Sequence, residues 1–168
     1  MQTAITGTRL GAGMGILLFS VAGVYADEEK VALDKVPKPV IEAAKARFKD
    51  AVMTGAAKET DNGKLVYEVF LKDKGQVIHV ILSPEGEILV IEKAITAGDL
   101  PTAVAQALKD KYPKATLKKV ESVFEVKNMK EELAYYEALL TIVETDKRLV
   151  KLTPEGKIVK EEEMSGGP

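Results

Sequence analysis

Two stretches of this chain read as one unit written twice, and that duplication restricts the fold more than any composition figure does. Val36-Pro37-Lys38-Pro39-Val40, opening into residues 41–48, is matched by Leu100-Pro101-Thr102-Ala103-Val104, opening into residues 105–112. Pro37 aligns with Pro101, Val40 with Val104, Lys45 with Lys109 and Phe48 with Tyr112. Further on, Tyr67-Glu68 aligns with Tyr136-Glu137, and Ser83-Pro84-Glu85-Gly86 with Thr153-Pro154-Glu155-Gly156. The offset grows from 64 to 70 along the unit, so the second copy carries extra residues between its helix and its last strand. A repeated unit has the same apolar face to bury each time, which calls for one small architecture used twice.

Each unit opens with a proline-led helix. Proline suits a helix start because the donor it lacks would be unpaired there anyway. Val40, Ala43, Ala44 and Phe48 then follow the spacing of one helical face, as do Val104, Ala107, Leu108 and Tyr112. Pro113 stops the second helix and Gly55 lies beyond the first. Residues 65–72 alternate with a period of two, the mark of a strand, and Asp73-Lys74-Gly75 makes a turn. Strands at 77–82 and 87–92 follow across the Pro-Glu-Gly corner, with connections too short for parallel crossovers. The second unit repeats them at 133–144, 148–152 and 157–160, with leading strands at 51–59 and 116–127. The expected fold is α+β: two tandem repeats of about αββββ each, with the helices packed on one face of antiparallel sheet. The expected divisions are 1–26 signal peptide, 27–96 first repeat, 97–163 second repeat and 164–168 disordered tail.

Residues 1–8 hold no acid, Arg9 adds a positive charge, and residues 10–24 form an apolar run of about 15, shorter than the roughly 20 that span a membrane. Val24 and Ala26 are small enough for a signal peptidase, and Asp27, Glu28 and Glu29 follow at once. Cleavage is expected after Ala26, giving a periplasmic or secreted protein with no stable membrane insertion. The chain has no cysteine, which removes disulfides, thiol nucleophiles and thiolate metal sites. About 140 residues remain, enough to bury a core without staples. Losing Arg9 takes the formal charge only from −2 to −3, and the signs interleave, so neither nucleic acid nor an anionic membrane surface is indicated.

The proline-led helix, the strand Gly-Lys-Leu-Val-Tyr-Glu-Val (63–69) and the hairpin Val-Ile-His-Val-Ile-Leu-Ser-Pro-Glu-Gly-Glu-Ile-Leu (77–89) together resemble the PepSY domain and the PepSY-like, beta-lactamase-inhibitor-like periplasmic proteins. The resemblance covers nearly all of the chain beyond the leader, once per repeat. The second copy departs from it with Ala134-Tyr135-Tyr136-Glu137-Ala138 and no preceding glycine. It implies an antiparallel sheet with helices on one face, in exported proteins and protease propeptides where the domain inhibits or chaperones its partner. It brings no cofactor and no catalytic residue.

The residues themselves point away from catalysis. His79 is the sole histidine, with no HExxH pattern and no second imidazole to share a metal, so no metal or cofactor is expected. Acids are scattered, no nucleophile-and-base pair stands out, and 161–163 read as a frayed acidic tail. A binding surface is better marked. If Leu65, Tyr67, Val69, Leu71, Ile78, Val80 and Leu82 face the helices, then Val66, Glu68, Phe70, Val77, His79 and Ile81 face the other way. The same rule turns Tyr136, Ala138, Leu140 and Ile142 inward and Tyr135, Glu137, Leu139, Thr141 and Val143 outward. An apolar, aromatic open face suggests a protein or peptide partner. The candidate contact residues are Val66, Phe70, His79, Ile81, Tyr135, Leu139 and Val143, with Phe70 and Tyr135 as anchors. The expectation is a non-enzymatic exported binding module that inhibits or regulates a secreted or envelope protein. The alternatives are a small-ligand sensor or carrier using the groove between repeats, and a structural envelope protein.

Overall fold

The computed structural model describes residues 29–144 and 146–165. The expected signal peptide and residues 166–168 of the expected tail lie outside them. The elements run β1 (Glu29–Val31), a 3-10 turn (Leu33–Lys35), α1 (Lys38–Arg47), β2 (Val52–Asp61), β3 (Lys64–Asp73), β4 (Gln76–Leu82) and β5 (Ile88–Ala94). A second 3-10 turn (Ala97–Asp99), α2 (Thr102–Lys111), β6 (Thr116–Lys127), β7 (Lys130–Val143), β8 (Asp146–Leu152) and β9 (Ile158–Ser165) follow. Among the described residues the strands form one nine-stranded sheet in sequence order, every neighbour antiparallel. The fold is therefore α+β, and β5 pairs with β6 so that the sheet is continuous across the chain.

Local chemistry explains the elements. Pro37 and Pro101 sit immediately ahead of the first helical residue, and Lys45, Arg47, Lys109 and Lys111 occupy the last turns, where the helix dipole favours cations. Asn62-Gly63 and Lys74-Gly75 take positive φ at both positions, the backbone that a two-residue hairpin requires. Asn128-Met129 does the same without a glycine, which explains why no turn signal marks it in the sequence. The corners at 83–86 and 153–156 close through Gly86 N–H to Ser83 O at 2.9 Å and Gly156 N–H to Thr153 O at 2.8 Å.

Two apolar clusters lie on the helix side. Val40 and Ala44 of α1 pack with Val69, Leu71, Ile78, Val80, Leu82 and Ile91. Val104 and Leu108 of α2 pack with Val120, Tyr136, Ala138, Leu140, Val150 and Leu152. Full burial of one such aliphatic side chain is worth about 1.5–3 kcal/mol, so each short helix is held by the sheet beneath it rather than by its own propensity.

The carboxyl-terminal end differs from expectation. Glu161, Glu162 and Glu163, expected to fray, and Met164 and Ser165, expected in a disordered tail, all belong to β9. The reason is charge pairing with β8 and α2. Glu163 lies opposite Arg148, with 3.6 Å between Glu163 Oε2 and the guanidinium, and Glu161 contacts Lys111 and the Tyr112 hydroxyl. β1 is a further short edge strand, paired with β2.

Candidate functional site

The period-two rule places side chains correctly on both faces, but the face away from the helices is not an open apolar surface. Val66, Ile81, Val90, Val123 and Tyr135 form a third buried cluster there, drawn from β3, β4, β5, β6 and β7. Val66, Ile81 and Tyr135 keep only 2–3% exposure and cannot act as protruding contacts, because they pack on each other and on Val90 and Val123. Phe70, His79 and Leu139 are half-buried, and Val143 is 61% exposed. The structure brings Phe70 and His79 together edge-to-face, with ring centroids 5.0 Å apart. Val143 stands apart, opposite Asp146 at the end of β7.

A stripe of charge crosses the same face beside that cluster. Register places Phe70 opposite His79, His79 opposite Glu92, Glu121 opposite Glu137, and Glu137 opposite Lys151. Cross-strand partners on one face have Cβ atoms about 5 Å apart, so these side chains meet. Glu68, Glu92, Glu121, Glu125, Glu137 and Lys151 are all buried. His79 Nδ1 lies 2.8 Å from Glu68 Oε1 and 3.8 Å from Glu92 Oε2. Lys151 Nζ lies 3.3 Å from Glu137 Oε2 and 3.4 Å from the Tyr135 hydroxyl, with its charge 4.9 Å from the Tyr135 ring centre.

The carboxylates outnumber the cations that face them. Burial pushes the Glu92 carboxyl well above the ordinary carboxylate range, and the charges of Glu137, Glu121 and Glu68 push it further, against a smaller opposing pull from Lys119. Burial raises Glu137 too; Lys151 pulls it back and Glu121 adds to the rise. One oxygen each of Glu92, Glu121 and Glu125 is buried without a hydrogen-bond partner among the described residues, while the second oxygens of Glu121 and Glu125 face Lys119 and Lys127, and Glu137 Oε2 faces Lys151. Buried polar groups are nearly always paired, so such a concentration of open acceptors marks a place able to receive a cationic or hydrogen-bond-donating group.

Sequence reasoning put Glu68 and Glu137 on this face but did not single out Glu92, Glu121, Glu125 or Lys151. Register, the available signal, falls one residue short: the corner at 83–86 pairs Leu82 with Ile88, which by itself would set His79 opposite Ile91, and the irregularity between Ile81 and Leu82 moves it opposite Glu92. The β6–β7 turn at 128–129 carries no glycine and hides the pairing of Glu121 with Glu137.

Clefts flank the sheet among the described residues. One of about 510 Å³ lies between the two halves of the chain, lined by Ala43, Arg47, Gly86, Ile88, Val126 and Met129. Another, about 600 Å³, lies between the hairpin ends and is lined by Asp61, Leu65, Val66, Pro84, Glu87 and Leu89. Among the described residues no helix is long and apolar enough to cross a membrane.

Neither a protein-family model nor a curated protein matches the sequence. Solved structures do match its shape. A protein provisionally described as periplasmic from Bacteroides eggerthii aligns at TM-score 0.62 and 18% identity, over 77% of this chain and 90% of that one. A DUF2874 family protein from Bacteroides uniformis aligns at 0.61 and 18%, over 76% and 88%. A BLIP-like protein from Bacteroides fragilis aligns at 0.56 and 15%, over 77% and 87%. This chain shares their fold. At such identity the likeness speaks for the arrangement of sheet and helices alone, and the buried charge stripe has to be read from this chain's own residues.

Proposed function

We propose that this chain is an exported, non-enzymatic binding module, built from two copies of one PepSY-like unit, that inhibits or regulates a protein through the sheet face away from the helices. The observation that carries the reading is the row of buried carboxylates with open acceptors on that face. Natural chains break the local rules of burial and pairing at functional sites, and here most of the breaks lie on this face, with Asp73 Oδ1 on the other. The partner that fits carries basic side chains, with Phe70, His79, Leu139 and Val143 supplying contact around the buried floor formed by Val66, Ile81 and Tyr135. The order of the first 26 residues supports export, and the provisional periplasmic description of the Bacteroides eggerthii structure agrees with it. The BLIP-like neighbour and the PepSY-like pattern support an inhibitory role.

Photo-crosslinking in the exporting cell tests the reading. A crosslinker at Leu139 or Val143 is expected to yield a discrete adduct, and one at Ala46 or Lys109 on the helix side none. Adducts from the helix side alone, or from neither side, would remove the sheet-face assignment.

The cleft between the halves favours a second reading, a small-ligand sensor or carrier, since its volume of about 510 Å³ falls in the range of small-molecule sites. A thermal-shift screen separates the two: a carrier gains stability with a metabolite, and replacing Met129 by Glu abolishes the gain.

A further inference from the structure

We propose that Glu68, His79 and Glu92 form a binding site for one divalent transition-metal ion, with zinc the ion that best suits the ligand set. The proposal does not depend on the partner-binding reading above.

Three adjacent strands build the site. His79 stands on β4 directly opposite Glu92 of β5, while Glu68 of β3 reaches it along the diagonal, one pair beyond Phe70. One ligand atom from each residue can be chosen so that all lie within 4.8 Å of one another. Around a tetrahedral zinc ion with bonds of about 2.0–2.2 Å, neighbouring ligand atoms stand roughly 3.4 Å apart. The observed separations from His79 Nδ1, 2.8 Å to Glu68 and 3.8 Å to Glu92, lie on either side of that value. Small side-chain adjustments on a rigid sheet therefore suffice to seat an ion.

A histidine hydrogen-bonded to one carboxylate would explain Glu68 but leaves Glu92 unexplained. Glu92 is 2% exposed; its Oε1 has no hydrogen-bond partner among the described residues, and its Oε2 points to His79 at a distance too long for a hydrogen bond. A buried carboxylate held this way is relieved either by a proton or by a cation, and Oε2 aimed at His79 beside Glu68 suits the cation. Glu121 and Glu137 deepen the negative field at the site, and Lys119 opposes it only in part. One imidazole with two carboxylates suits zinc and its first-row neighbours, whereas calcium and magnesium favour all-oxygen shells. Three protein ligands leave a fourth position for water or a partner's donor group, the pattern of an exchangeable site rather than a closed structural one.

The chain's sole imidazole makes the test direct. Tag-free protein is dialysed against zinc chloride, with calcium and magnesium as competitors, while the His79 ring nitrogens are followed by NMR. The expected result is one zinc per chain, a shift of the His79 ring resonances that saturates at one equivalent, and no displacement by millimolar calcium. Loss of even an outer-shell partner costs about 10–100-fold in affinity, so His79→Gln and Glu92→Gln, which remove ligands, are each expected to weaken binding by about a hundredfold or more, whereas Glu161→Gln leaves it unchanged. Zinc that binds without moving the His79 resonances, binding untouched by His79→Gln, or displacement by calcium would each overturn the proposal. The NMR readout uses the unaltered chain, so it decides the matter even if a variant fails to fold.

Discussion

Gly86 and Gly156 stand at matching corners with φ of +89° and +85°. A Cβ there would lie 2.6 Å from the Pro39 carbonyl oxygen and 2.4 Å from that of Ala103, so each corner presses on the first turn of its helix. Only glycine meets both demands, the left-handed backbone and the close approach. Gly86→Ala and Gly156→Ala are each expected to cost about 2 kcal/mol or more, seen as a lower midpoint in urea unfolding. A different penalty applies at Lys151, which is 1% exposed beside Glu137 and Tyr135. Lys151→Met leaves Glu137 as a buried charge without its nearest cation, and a loss of about 3–5 kcal/mol is expected. Pairing it with Glu137→Gln should recover much of that loss in a double-mutant cycle. A full additive loss in the double variant would show that the two side chains do not interact.

At the scale of elements, α1 is tied to strands from both halves of the chain. Glu131 of β7 accepts from Lys93 Nζ of β5 at 2.7 Å and contacts the Arg47 guanidinium at the end of α1. Burial tends to raise the Glu131 carboxyl, but Lys93 and Arg47 outweigh it and hold the carboxyl below its ordinary 4.5. A depressed carboxylate stabilises the fold above its unfolded value and ceases to do so as pH falls through its folded value. Glu131→Gln should therefore cost about 1 kcal/mol at neutral pH, kept small because Arg47 is half exposed to screening solvent. The gap to wild type should close on acidification below the ordinary carboxylate value. A gap that persists at low pH would mean that the loss is one of packing. Val40 and Val104, fully buried at matching helix positions, give a second comparison. Val40→Ala and Val104→Ala are each expected to lower stability by about 2 kcal/mol through the cavity left behind.

For the whole molecule, the decisive contact is the β5–β6 ladder, where Val90, Ile91, Glu92, Lys93 and Ala94 pair with Glu125, Phe124, Val123, Ser122 and Glu121. The third cluster spans that junction, with Val66, Ile81 and Val90 on one side and Val123 and Tyr135 on the other. Neither half has a complete core on the helix-free face by itself. A single calorimetric transition is expected for the chain, and the fragments 27–96 and 97–163 should stay unfolded when expressed separately. Two resolved transitions, or a folded fragment, would show that each half is autonomous.

The alternation at 65–72 and 77–82, the proline-led helices and the two Pro-Glu-Gly corners were legible in the chain because each depends on contacts a few residues apart. Those features dictated hairpin direction within each half and which side chains face the helices. The run 161–165 belongs to β9 for a reason invisible locally: the partners of its acids, Arg148, Lys111 and Tyr112, are distant in sequence, and an acidic segment looks solvated until its cations are placed. The character of the helix-free face was hidden for the same reason. Parity tells which way Val66, Ile81 and Tyr135 point, but only the joining of β5 to β6 decides that they are buried. The chain by itself determined two proline-led helices and their hairpins, through local backbone and side-chain periodicity. Tertiary structure alone decided that Glu68, His79 and Glu92 meet and that Glu121 faces Glu137, because bringing distant strands into register is a property of the closed sheet.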